Sequence, residues 1–432
     1  MKTAWQLIHR STRLLAATAV ACGTGLALAQ PTEEAPPNLL FSGFGTIGAS
    51  KASTDFGGTF ARDVSQVPGP SGLQLRPDTR VGAQINWRAT DTLEAVGQVV
   101  LRDRPDSAQS SDSIEWAFVA YRPTPDTTLR VGRLNADLYL LSDFRNVGYG
   151  YLSVRPPPDF YGVMSMNNLD GVDISHNWRM GDADWRVKAT AGASRYDMMA
   201  LRSRFNDARG LTLSRDNDGL TLRGTLATGH LSVNLPGLEL LQQGLSQVTL
   251  APVASVAAQA KALSSALNFQ DIRARYVALG LAYDKHDWLV NAEWMRISTS
   301  NQAISGTGTY VMAGRRLGAF TPYVGLSRAR SLSAAATAPN WARDLMPLAP
   351  VIGLNAVAQA QAVGDIATGV LNTYRVDQHT RTLGVRWDIR PNLSLKAQWD
   401  WVTVRPLGGV MWGGNSNGGS ANVGSVALDF VY

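Results

Sequence analysis

The chain has 432 residues and one cysteine, Cys22. Cys22 falls in the N-terminal segment, where Lys2, Arg10 and Arg13 precede the apolar run "LLAATAVACGTGLALA" and the small residues Ala27-Leu28-Ala29. That order predicts an export leader over residues 1–29, cleaved before Gln30. The exported chain, 30–432, then has no disulfide and no thiolate metal site, and at this length it needs no disulfide staple. Histidine is scarce too. His176, His230, His286 and His379 lie far apart and share no metal-ligand spacing. No GxxxxGK[ST] phosphate loop occurs, and no catalytic residue, metal or cofactor is expected. A hydrolase with a serine–histidine pair distant in sequence is the enzymatic alternative.

Charge of one sign is lacking as well. Removing Lys2, Arg10 and Arg13 from 40 basic residues, against 34 acidic, leaves a formal charge near +3. That balance argues against a nucleic-acid partner. After residue 29 no run of 18 apolar residues appears, so no helix is expected to cross a membrane.

What the chain does have is a period of two. "TLEAVGQVVLR" sets Leu93, Ala95, Val99 and Leu101 against Glu94, Gln98 and Arg102. "NLSLKAQWDWV" sets Leu393, Leu395, Trp399 and Trp401 against Lys396, Gln398 and Asp400. "DWRVKATAGA" and "RTLGVRWDI" repeat the pattern. Each reads as a strand with one apolar and one polar face. A length of about nine to eleven residues suits a tilted membrane strand. Trp87, Tyr121, Trp185, Tyr283, Trp288, Trp387 and Trp401 lie near expected strand ends, as an interfacial girdle requires.

The connections alternate. Asp-, Asn-, Gly- and Pro-rich tight turns fall near 89–92, 122–127, 180–184, 215–219, 283–287, 315–318 and 388–392. Longer excursions fall around 51–78, 103–112, 134–168, 196–206, 234–270, 299–308, 331–378 and 405–420. Seven turns and eight loops predict sixteen strands, with turns at one end and loops at the other. The expected fold is all-β: a transmembrane antiparallel up-and-down barrel. The final "SVALDFVY" then closes onto the strand near 38–50, since lipid tolerates no open sheet edge. Loops 234–270 and 331–378 are Ala- and Leu-rich and predict short helices, either packed over the barrel mouth or acting as a partner-binding or gating element.

The loop at 134–168 follows "EWAFVAY" (115–121) and "TLRVGR" (128–133), and contains Pro158-Asp159-Phe160-Tyr161-Gly162. Here the chain resembles the general Gram-negative outer-membrane porins, in which a strand ending in Gly-Arg leads into a third loop folded into the lumen. The terminal aromatic residue resembles the family's insertion signal. The resemblance implies a passive channel for small hydrophilic solutes and ions in the outer membrane. It also implies lipid and lipopolysaccharide around the barrel, and a homotrimer. It places Asp159 at the constriction with Pro158, Phe160 and Gly162. Asp137 and Asp143 join it, and Arg145 and Arg155 offset them. Arg80, Arg102 and Arg130, inward by strand parity, are the expected basic wall opposite. Opposed charges across a narrow pore set ion preference, and width sets the size limit. A substrate-selective channel of the same architecture and a loop-plugged structural or adhesive barrel are the alternatives.

Overall fold

In a computed structural model, residues 38–69, 72–105, 108–198, 201–413 and 417–432 are described. The leader expected over 1–29 lies outside the described residues. Strands follow one another around the sheet in chain order: β1 (Leu39–Thr54), β2 (Gly72–Gln74), β3 (Arg80–Arg88), β4 (Leu93–Arg102), β5 (Ile114–Thr124) and β6 (Thr127–Asn135) come first. Then come β7 (Asn168–Met180), β8 (Ala183–Met198), β9 (Leu201–Asn217), β10 (Leu220–Val233), β11 (Ile272–Lys285) and β12 (Trp288–Thr299). The last are β13 (Gly306–Arg315), β14 (Phe320–Ser331), β15 (Val376–Arg390), β16 (Leu393–Gly409) and β17 (Gly419–Val431).

The three-residue β2 pairs only with β1 and adds no stave. Of the 17 strands the other sixteen form an antiparallel barrel, and β1 pairs with β17 from Phe44↔Val431 to Thr54↔Ala421. Closure leaves no strand edge to face lipid. The C-terminal segment is the closing strand, as its alternation predicts.

Outward positions stay apolar around the wall: Val81, Val99, Val131, Ile174, Leu211, Leu226, Leu279, Leu326 and Val426 are exposed. In water such a surface would aggregate; against acyl chains it is matched. At the tight-turn end Trp87, Tyr121, Trp288 and Trp387 are exposed, and Phe320 stacks on Trp387 at 5.7 Å. Trp401 belongs elsewhere, for β16 runs on to Gly409 and leaves it in mid-strand. The tight turns use left-handed backbone where their sequences allow it: Gly181, Asp218, Gly219, His286 and Asp287 all have positive φ.

Strands exceed the expected nine to eleven residues, reaching 17 in β9 and β16. The excess stands on the loop side and props the loops. One expected loop is replaced by it. The stretch 196–206 is instead the far end of a hairpin, with Tyr196↔Ser203 and Met198↔Leu201 still in register. A bulge at Asp207, in left-handed conformation, shifts that register and hides the alternation. The expected loop at 299–308 shrinks to 300–305.

The two Ala- and Leu-rich loops form helices 238–248, 254–266, 341–345, 349–352 and 354–373. They share one apolar core with the barrel rim: Leu245, Val256, Trp341, Val357 and Leu371 are buried together with Val233 and Ile272. Trp341 Nε1 donates to Gln259 Oε1 at 2.8 Å, tying one loop to the other. The result is a helical cap at the loop end.

Candidate functional site

The site begins where β6 ends. Gly132 has φ +131°, and a Cβ there would lie 2.3 Å from the Ala117 carbonyl oxygen, so only glycine fits. Arg133 beside it donates to Asp170 at 2.7 Å and to the Ser111 carbonyl at 2.8 Å. From there the third loop, 136–167, folds into the lumen and meets the wall sector by sector.

Along β8 and β10, Asp137 is gripped by Arg223 (2.5 Å) and Lys188 (3.2 Å). Along β11 to β13, contacts are tyrosine-rich. Tyr276 donates to the Leu138 carbonyl at 2.9 Å. Glu293 accepts from the Leu140 amide (2.9 Å), from Tyr310 (2.8 Å) and from Tyr161. Phe160 is fully buried, 5.6 Å from the Tyr139 ring and 5.2 Å from Tyr310.

Along β16, β17, β1 and β3 the contacts are ionic. Arg155, with no exposed surface, clasps both oxygens of Asp78 at 2.9 and 2.5 Å, and lies 3.3 Å from Asp400 and 2.6 Å from Ser425. Lys396 is equally buried. It donates to the carbonyls of Gly148 (2.7 Å), Tyr151 (2.7 Å) and Ser153 (3.0 Å), and pairs with Asp429 at 3.1 Å. Burial alone would raise the Asp78 carboxyl, but the Arg155 guanidinium overrides it and holds Asp78 below its ordinary value.

This packing relocates the expected constriction acid. Pro158–Gly162 form one tight helical turn pressed against β13–β15. Asp159 is fully buried there and accepts from Ser327 Oγ at 2.6 Å and from Gln378 Nε2. Burial pushes its carboxyl up from the ordinary value, and among the described residues no cation pairs with it. The Gly162 carbonyl accepts from the Val64 amide at 2.9 Å. Asp159 and Phe160 therefore seal loop to wall, Gly162 packs against the first loop, and Pro158 beside them is half-buried. Asp137, held by two cations, belongs to the same seal.

Asp143 differs. It is exposed, accepts from Asn135 Nδ2 at 2.6 Å, and lies on the side facing β4–β7. In that sector a polar gap remains, lined by Gln98, Glu115, Asp143, Arg145, Asn146 and Asn167. Its open volume is about 10 Å³, roughly one water's worth.

The three wall arginines all point inward, and each already has partners. Arg130 forms a two-pronged pair with Asp173, at 2.9 and 2.5 Å. Arg102 lies 3.4 Å from Asp63 of the first loop and 3.9 Å from Glu115. Arg80 donates to the Asn146 carbonyl at 2.7 Å and to Tyr151. Arg130 and Arg102 flank the gap, whereas Arg80 is part of the loop's anchorage. Strand parity put Lys396, Gln398 and Asp400 on the polar face, but nothing in their spacing revealed that the third loop covers them. Among the described residues no cluster of three His, Cys, Asp or Glu is placed to hold a metal ion.

A closed barrel with an apolar outer wall and a polar, loop-filled lumen is a membrane-spanning barrel of the outer-membrane type. Its fold is that of the Gram-negative outer-membrane porins. An anion-selective porin from Comamonas acidovorans superposes with a TM-score of 0.51 at 12% identity, covering 91% of this chain and 99% of that one. OmpF of Salmonella typhi, in complex with daunomycin, gives 0.51 at 11% identity, covering 91% and 97%. Identity this low speaks to the fold alone. No protein-family model matches the chain, and no curated protein matches it by sequence.

Proposed function

We propose that the protein is a passive outer-membrane channel for ions and small hydrophilic solutes, with its narrowest passage between Asp143–Asn146 and the β4–β7 wall. The observation that carries this reading is the polar gap. It is the sector of the lumen where charged and amide side chains of the third loop and the wall face one another, beside Trp116, Phe144 and Val147. A permeating ion there keeps polar partners and so avoids most of its dehydration cost. Asp143 on the loop and Arg102 and Arg130 on the wall supply the opposed charges. Nothing in this reading calls for covalent chemistry or an energy source.

The narrowness of the gap and the helical cap favour a second reading, a barrel plugged by its loops. Single-channel current from the refolded protein in a planar bilayer separates the two. Steady conductance steps support the channel, and silence from correctly inserted protein supports the plug. The family resemblance supports a homotrimer, which closures in threes would register.

The outer wall supports a lipopolysaccharide partner. At its loop end Arg273, Arg275, Arg296, Arg328, Arg330 and Arg381 are exposed. Of these, among the described residues, only Arg328 has a carboxylate nearby, Asp377 at 4.0 Å. Unpaired guanidinium groups at that height suit anionic headgroups. Replacing Arg296 and Arg330 together with glutamine should lower lipopolysaccharide co-purification. Export with cleavage before Gln30 completes the proposal, and N-terminal sequencing of the protein from membranes tests it.

A further inference from the structure

The lumen holds a second space, away from the polar gap. On the loop side of the third loop, Leu138, Met164 and Met166 face Ala227, Tyr276 and Met295 of the wall across a cavity of about 130 Å³. Val376 and Tyr374, at the foot of the helical cap, line it as well. Inward positions of a water-filled barrel are ordinarily polar. Here most are alanine, methionine, isoleucine and tyrosine, backed by loop methionines, with Thr299, Ser305, Thr307 and Ser331 as the polar minority.

A cavity so lined gives water too few partners, and apolar cavities of about 150 Å³ stay dry and accept benzene. The volume therefore suits one aromatic ring. The thioethers of Met164, Met166 and Met295 favour an aromatic occupant over a plain hydrocarbon. Two hydroxyls add a polar requirement. Tyr196 and Tyr374 both line the cavity, Tyr374 is only 9% exposed, and among the described residues neither hydroxyl makes a hydrogen bond. Neither hydroxyl is among the buried atoms left without a partner, so each stays accessible from the cavity and can pair with a ligand that brings one hydrogen-bonding group.

We propose that this chamber is a binding site for a small monocyclic aromatic solute carrying one hydroxyl, a simple phenol. The site stands apart from the polar gap, so its failure would leave the channel reading intact, and loss of conductance would leave the site untouched.

The test is a ¹⁹F NMR titration of 4-fluorophenol and of fluorobenzene against the refolded protein, with protein-free micelles of the same detergent as baseline. Saturable one-site binding above the micelle background is expected, with 4-fluorophenol about three- to tenfold tighter than fluorobenzene. Ala227→Trp fills the chamber and should abolish saturation while the heat-modifiable gel shift and the ion conductance stay as in the wild type. Met166→Trp fills it from the loop and serves if A227W fails to fold. Tyr374→Phe should erase most of the preference for the phenol. Linear, micelle-like partition in the wild type would overturn the proposal, and so would saturable binding that survives both filling variants.

Discussion

The third loop is held on its two flanks by different chemistry. Toward β16, β17, β1 and β3 it is clamped by buried charges: Arg155 on Asp78 and Asp400, and wall Lys396 on three loop carbonyls. Toward β11–β13 it is held by rings, thioethers and hydroxyls gathered on Glu293. Breaking one side of a buried ion pair leaves an uncompensated charge, whereas losing one ring or one hydroxyl leaves a void or a modest unmet hydrogen bond. The ionic flank is therefore the costlier one to break and the aromatic flank the more tolerant of change. Between them, opposite β4–β7, the polar gap remains.

The largest expected effect comes from the ionic flank. Arg155→Ala strands Asp78 and Asp400 and should cost about 3–5 kcal/mol. Read by the temperature at which the folded gel band is lost, the drop should exceed that of any single change on the aromatic flank. Glu293→Ala comes next. It leaves the Leu140 amide and two tyrosine hydroxyls unpaired, for about 1–3 kcal/mol. If E293A proved the costlier of the two, the contrast between the flanks would be wrong.

Acid should act on the ionic flank as well. Asp78 is held below its ordinary value of 3.8, so it binds its proton less readily folded than unfolded. Its contribution is fully present above that value and is lost as pH falls below it. Melting followed from pH 6 to pH 2 should show the fall only at the acid end, and Asp78→Asn should blunt it.

The smallest effects separate the gap from the seal. Asp143→Asn should shift the reversal potential in a salt gradient toward anions while leaving stability within about 0.5 kcal/mol. Asp159→Asn should leave the reversal potential where it was. Because burial raises the Asp159 carboxyl, the native state at neutral pH bears the cost of keeping it charged. Removing that charge should leave thermal stability unchanged or slightly raised. A conductance change in D159N larger than in D143N would return Asp159 to the pathway.

The barrel was legible because its rules are local. Alternation marks faces, Asp and Gly mark tight turns, and closure follows from lipid; from these alone β4, β8, β15, β16 and the closing strand could be placed. The end of the β8–β9 hairpin was not legible, because the bulge at Asp207 breaks the period just where a loop was expected. The site was legible only in part. Parity turned Arg80, Arg102 and Arg130 inward, and the Gly-Arg step located the third loop. Which wall the loop leans on is set by pairings such as Lys396 with the 148–153 carbonyls and Asp159 with Ser327. Those partners lie 168 to 248 residues apart and leave no spacing to read, so the sequence put Asp159 at the constriction with Asp143 only joining it.

The most direct test uses the absence of cysteine after residue 29. Gln98→Cys places a thiol in the polar gap, and Met295→Cys places one in the apolar chamber. Each variant is refolded without residues 1–29, inserted in a bilayer, and treated with a charged methanethiosulfonate while current is recorded. A stepwise fall in current is expected for Q98C and none for M295C. Block through M295C with Q98C unaffected would place the conducting path on the other side of the third loop.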